Sequence, residues 1–141
     1  MQRITFRILI LSCLFAFSFS VKAQVGTWTP LAHLAPHENN GNVLQMSDGT
    51  VICHTTAGGN QGDGTIWDVL TPDSTGSYIN GTWTSTSPMN YERFSFPTAV
   101  LKDGRLYAGG GEYGTDGTQN GYHVEVYNPL TDTWTVATGT N

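Results

Sequence analysis

The chain has 141 residues and sets 6 Lys and Arg against 11 Asp and Glu, for a formal charge of −5 at pH 7. Three of those cations, Arg3, Arg7 and Lys22, fall in the first 23 residues. The rest of the chain balances only Arg93, Lys102 and Arg105 against all eleven carboxylates, a formal charge of −8, so it lacks the clustered cations that release counterions from a phosphate backbone or hold anionic lipid. Nucleic acid and anionic membrane are excluded as partners.

Residues 1–23 read as a secretory signal. Arg3 and Arg7 open it, the run from Ile8 to Phe19 is almost wholly apolar, and Ala23 offers a small residue for cleavage before Gln24. That run falls well short of the roughly 20 residues that a spanning helix needs, so no membrane span is expected. Lipid attachment at Cys13 is disfavoured by Leu11 two places earlier and by the apolar run continuing past it. Residues 24–141 then form the exported part, secreted, periplasmic or at the cell surface. They hold a single cysteine, Cys53, which can make no intramolecular disulfide and reads as a small buried apolar residue in Val51-Ile52-Cys53.

Past the signal the sequence repeats itself. Gly26-Thr27-Trp28-Thr29 returns as Gly81-Thr82-Trp83-Thr84 and as Asp132-Thr133-Trp134-Thr135. Ahead of the second and third copies stand two apolar runs joined by Asp48-Gly49 and by Asp103-Gly104, the grammar of a tight hairpin. A period near fifty marks a propeller or array. Strands are expected at 41–46, 50–55, 65–71 and 82–85, then at 96–101, 105–109, 122–127 and 133–136. No helical periodicity competes with them. The fold class is therefore all-β: two four-stranded antiparallel blades, about 41–85 and 96–136, with 27–31 as a possible ring-closing strand. Trp28, Trp83 and Trp134 recur with the blade and are expected between neighbouring sheets.

The second hairpin runs into Gly109-Gly110-Gly111. A phosphate-cradling loop would open a helix and bring a lysine; here Glu112, Tyr113 and Gly114 follow and no helix pattern begins. The glycines are assigned to architecture, where they permit positive φ and close backbone approach.

Chemistry-bearing residues are sparse. His33, His37, His54 and His123 show no zinc spacing, and the Asp/Asn/Gly-rich loops 60–64 and 115–121 lack the calcium-loop pattern. No catalytic, metal or cofactor residue is assigned. Arg93 stands just before the first strand of the second unit, where it either meets a ligand carboxylate or pairs with Glu92 or Glu112 inside the fold. Trp67, unmatched by anything in the second unit beyond the region of Val124, is a candidate carbohydrate platform with Tyr78 and Tyr113. Asn80-Gly81-Thr82 fits a glycosylation sequon but also a turn.

A double glycine, then a tyrosine, then six residues and a tryptophan resembles the kelch repeat. Gly110-Gly111, Tyr127 and Trp134 satisfy it, with Leu101-Lys102-Asp103-Gly104-Arg105-Leu106-Tyr107 upstream. The first unit is looser: Gly58-Gly59 and Trp83 fit, Leu70 holds the tyrosine position, and 73–80 lengthens a loop. The resemblance implies a propeller with more blades than two, hence that this chain is the N-terminal piece of a longer ring and is marginal, oligomeric or aggregation-prone alone. It also brings the galactose oxidase family into view, in which a cysteine–tyrosine pair holds a radical beside copper. Alignment on the Asp-Gly turns puts Asn40 and Ser95 at those two positions and Tyr113 near the stacking tryptophan. The function expected is a non-catalytic exported module recognising a protein or glycan, with Arg93, Trp67 and Tyr113 as ligand contacts; the rival is part of a carbohydrate-oxidising enzyme.

Overall fold

The structure, a computed structural model, describes residues 26–59, 64–112 and 122–137. The expected signal, Cys13, Tyr113 and the loop 115–121 lie outside the described residues. Two antiparallel sheets of four strands follow one another in chain order. Blade 1 is β1 (Asn39–Gln45), β2 (Val51–Thr55), β3 (Trp67–Thr71) and β4 (Thr82–Ser85); blade 2 is β5 (Thr98–Val100), β6 (Leu106–Gly109), β7 (Val124–Asn128) and β8 (Thr133–Val136). The all-β expectation holds, and no helix among the described residues is long and apolar enough to cross a membrane.

Strand limits differ from expectation for local reasons. β5 begins at Thr98 because Pro97 has no N–H to give to a ladder. The Asp-Gly turns are three-residue loops rather than two-residue ones. Met46 N–H bonds Thr50 O at 2.8 Å and Leu101 N–H bonds Arg105 O at 2.7 Å, and only the glycines, Gly49 at φ 87° and Gly104 at φ 86°, enter the left-handed region. The aspartates instead accept from the backbone two residues on, Thr50 N–H at 2.9 Å and Arg105 N–H at 3.2 Å. Gly110 and Gly111 hold φ of 67° and 110°, and a Cβ on Gly111 would press on Phe94 O at 3.0 Å. A side chain there has no room.

Each sheet has two faces. On blade 1, Leu44, Ile52, His54, Trp67 and Val69 share one face, here the front; Val43, Val51, Cys53, Asp68, Leu70 and Trp83 share the back. On blade 2, Val100, Leu106, Ala108, Glu125, Tyr127 and Trp134 share the back. The core is the joint between the front of blade 1 and the back of blade 2. Ile52 and Trp67 meet Leu106, Ala108 and Tyr127 there, and Met46, Met89 and Phe96 fill the edges. Trp134 packs at this joint, its ring 5.9 Å from that of Trp67. Trp28 does not: it is 99% exposed, and residues 27–31 join neither sheet. A ring-closing strand would pair with a further sheet, and the described residues hold two.

His54 sits inside this joint, its ring 4.9 Å from those of both Trp67 and Phe96. Nε2–H donates to Gly64 O at 2.7 Å, which fixes the tautomer of the neutral ring. Burial lowers its pKa from the ordinary 6.5; the Gly64 bond opposes that, and nearby Arg93 adds to it. A depressed pKa means that the unfolded chain takes up the proton more readily. The contribution of His54 is thus complete above about pH 6.5 and is lost as pH falls below it toward the folded-state value. Guanidinium melts at pH 8, 6.5 and 5.5 should show falling stability in the native protein and a shallower fall in His54→Gln, whose amide N–H reaches the same carbonyl. An equal fall in both would place the acid sensitivity elsewhere.

Candidate functional site

A cleft of about 340 Å³ opens where the blades diverge, lined by Met46, Asp48, Thr50 and Ile52 from one hairpin, Val69 and 84–86 beside it, and Tyr127, Pro129 and Asp132 from blade 2. Its size lies at the lower end of the range for small-molecule sites. The floor is apolar and the rim carries two carboxylates and several hydroxyls.

Asp132 is built in firmly. The turn before β8 puts it at φ 49°, a left-handed value that Asp tolerates better than most residues. Its carboxylate accepts from Ser87 N–H at 2.9 Å, Ser87 Oγ at 2.8 Å and Tyr127 Oη at 2.9 Å. Burial pushes its pKa up, but those bonds outweigh it and the group is held below the usual carboxylate value. The Tyr127 phenol is pushed well above the tyrosine range by burial first, then by its bond to Asp132 and by the charges of Asp132 and Asp48. It therefore remains a proton donor throughout the physiological range. Across the cleft, Asp48 Oδ1 accepts from Thr50 N–H at 2.9 Å and Thr50 Oγ1 at 2.8 Å. Fixed carboxylates and hydroxyls over an apolar floor suit a ligand rich in hydroxyl donors.

The residues expected at a site lie elsewhere. Trp67 has no exposed surface and packs the core, so its face is not open to a sugar. Arg93 is 2% exposed and its partner is neither Glu92 nor Glu112 but Glu125, at 2.7 Å. Its other terminal nitrogen donates to His123 O at 2.8 Å and Gly110 O at 3.2 Å, which ties the linker before blade 2 to the residues just after β6 and just before β7. Burial pulls its pKa down while Glu125 opposes that, and the guanidinium remains charged. Tyr78, the third aromatic candidate, donates to Gly49 O at 2.6 Å and stands against the Asp48 hairpin. Tyr113 lies outside the described residues, so nothing brings it to the others.

Glu125 belongs to a pattern that repeats. It accepts from Asn90 N–H and Nδ2 at 2.7 Å and from Tyr91 N–H at 3.2 Å. In blade 1 the same strand position is Asp68, which accepts from His37 N–H at 3.0 Å, bonds His37 Nδ1 at 2.9 Å and accepts from Ser85 Oγ at 2.8 Å. Each blade thus buries one carboxylate that holds down the segment entering it. Among the described residues no group of three or more His, Cys, Asp or Glu is placed to hold a metal ion.

Residues 93–140 match the Kelch motif family. The second blade is a kelch repeat. Its signature residues have the roles described above: Gly111 makes the close approach, Tyr127 bonds the Asp132 carboxylate and Trp134 packs the joint. No curated protein matches the chain. Among solved structures, YjhT is 26% identical with a TM-score of 0.54, over 73% of this chain and 28% of its own. A fungal alcohol oxidase of the AA5 family, in complex with copper, is 27% identical with a TM-score of 0.48, over 66% of this chain and 17% of its own. The chain therefore spans under a third of the length of either.

Proposed function

We propose that the chain is an exported kelch-repeat binding module without chemistry of its own, taking a small hydroxyl-rich ligand, a sugar unit of a glycan, in the cleft between its blades. The cleft itself carries the reading: an apolar floor with Asp48, Thr50, Thr84 and Asp132 at its rim offers acceptors for sugar hydroxyls and an aliphatic surface for the C–H faces. Export through residues 1–23 leaves Gln24 first in the mature protein, which N-terminal sequencing of the secreted form checks.

Glycan arrays followed by calorimetry on the best retained sugar test the ligand. Asp48→Asn and Thr84→Val, both on the rim and outside the carboxylate clamps, are expected to weaken binding at least tenfold with an unchanged melting curve. A chain that retains no glycan at millimolar concentration, or binds one equally well in both variants, overturns the proposal.

A further inference from the structure

The cleft between the blades divides its polar groups unevenly between donors and acceptors. Thr50 Oγ1 gives its proton to Asp48 at 2.8 Å, and Tyr127 Oη gives its own to Asp132 at 2.9 Å. Ser85 Oγ gives its proton to Asp68, on the other face of the sheet. Three hydroxyls that border the opening are thus spent as donors inside the protein. What Thr50 and Tyr127 keep for a ligand is lone pairs. Asp132 is occupied by the Ser87 backbone and hydroxyl as well as by Tyr127, and contributes its charge more than its oxygens. Asp48 differs. Both of its bonds from Thr50 end on Oδ1 of an exposed carboxylate, which leaves Oδ2 for a ligand.

Charge follows the same asymmetry. Asp48 and Asp132 line the cleft, and among the described residues no lysine, arginine or histidine does. Arg105, whose turn stands beside Ser47, is already paired with Asp103 at 2.7 Å. The two carboxylates act on one spot, since the charges of both disfavour ionisation of the Tyr127 phenol. A ligand carboxylate would meet two like charges here, and a ligand carbonyl would meet acceptors with an acceptor. A protonated amine answers both conditions, with three donors and a positive charge on one atom. Its bonds to a carboxylate are about twice as strong as those between neutral groups.

We propose that the sugar unit taken by this cleft is an amino sugar with its nitrogen protonated, an assignment that rests on the glycan reading given above. The ammonium is held by Asp48 Oδ2 and by the lone pairs of Thr50 and Tyr127. The apolar floor of Met46, Ile52 and Val69 meets the C–H face of the ring, and Thr84 on the rim meets its hydroxyls. Acetylation of the nitrogen removes the charge and two of its donors, and adds a carbonyl that finds only acceptors. A uronic acid carries the wrong sign.

Calorimetric titrations of the exported chain at pH 6 with glucosamine, glucose, N-acetylglucosamine and glucuronate test this. Glucosamine is expected to bind roughly tenfold or more tightly than glucose or N-acetylglucosamine, with glucuronate weakest. Its advantage should shrink at 1 M salt, where screening acts over about 3 Å, while glucose stays unmoved. Asp48→Asn keeps the turn's acceptor and should bring glucosamine down to the affinity of glucose. Thr84→Val removes no charge and should weaken both sugars alike, preserving their ratio. Melting curves of the two variants separate a lost contact from a lost fold. Glucose bound as tightly as glucosamine overturns the charge assignment and leaves the glycan reading standing. No sugar retained at millimolar concentration overturns both. Lysine amide bound as tightly as glucosamine overturns the assignment too, because a basic peptide then fits the cleft equally well. So does a glucosamine preference that survives Asp48→Asn.

Discussion

Glu125→Ala is expected to remove about 3–5 kcal/mol of stability, a large part of the roughly 5–15 kcal/mol that holds a domain of this size. The carboxylate has no exposed surface and accepts from four donors: Arg93, both nitrogens of Asn90, and the Tyr91 backbone. Deleting it leaves the Arg93 guanidinium buried beside Phe96 with no counter-charge, and frees the linker that leads from blade 1 into β5. Changing both partners to apolar residues, Arg93→Met with Glu125→Leu, should recover part of the loss, because no uncompensated charge then remains. Asp68→Ala is the internal comparison. Its partners are a half-buried histidine and an exposed serine, which reach water once released, so a loss of about 1–3 kcal/mol is expected. Denaturant midpoints across the four proteins check the order. Equal losses for Glu125→Ala and Asp68→Ala would show that the arginine ion pair contributes nothing beyond the shared clamp.

That clamp was legible in the repeat only in outline. Asp68-Val69-Leu70 and Glu125-Val126-Tyr127 align acid on acid, and an acid inside a strand of otherwise apolar residues is costly unless it is paired. What it pairs with comes from segments 31–38 and 87–93, which carry no periodic signal of their own. The strands and hairpins were legible because period-two patterning and Asp-Gly turns act over a few residues. Arg93 shows the opposite case. Glu92 beside it and Glu112 at the end of the glycine run were plausible partners, but β7 lies against β6 and brings Glu125 closer, a contact across 32 residues that only the sheet order supplies. The cleft was illegible for the same reason, since Asp48 and Asp132 line one opening only because the two sheets pack side by side.

Trp67→Ala should cost about 3–5 kcal/mol and destroy the joint between the blades, whereas Trp67→Phe should cost less than about 1.5 kcal/mol. The indole touches His54, Phe96 and Trp134 and has no exposed surface, so its removal opens a cavity in the middle of the core. Its Nε1–H, however, is buried without a hydrogen-bond partner, and an orphaned donor of that kind costs on the order of 1–3 kcal/mol. Phenylalanine gives up part of the ring volume and removes the orphan with it, two changes of opposite sign. The pair of variants also separates a core tryptophan from a ligand platform. A core residue predicts that Trp67→Phe leaves glycan affinity unchanged and that Trp67→Ala loses ligand and fold together. A platform predicts weaker binding in Trp67→Ala at full stability, because a stacking side chain on the surface leaves no cavity when it goes. Calorimetric titration of both variants beside their melting curves decides between these outcomes, and the burial of Trp67 sets the expectation on the first.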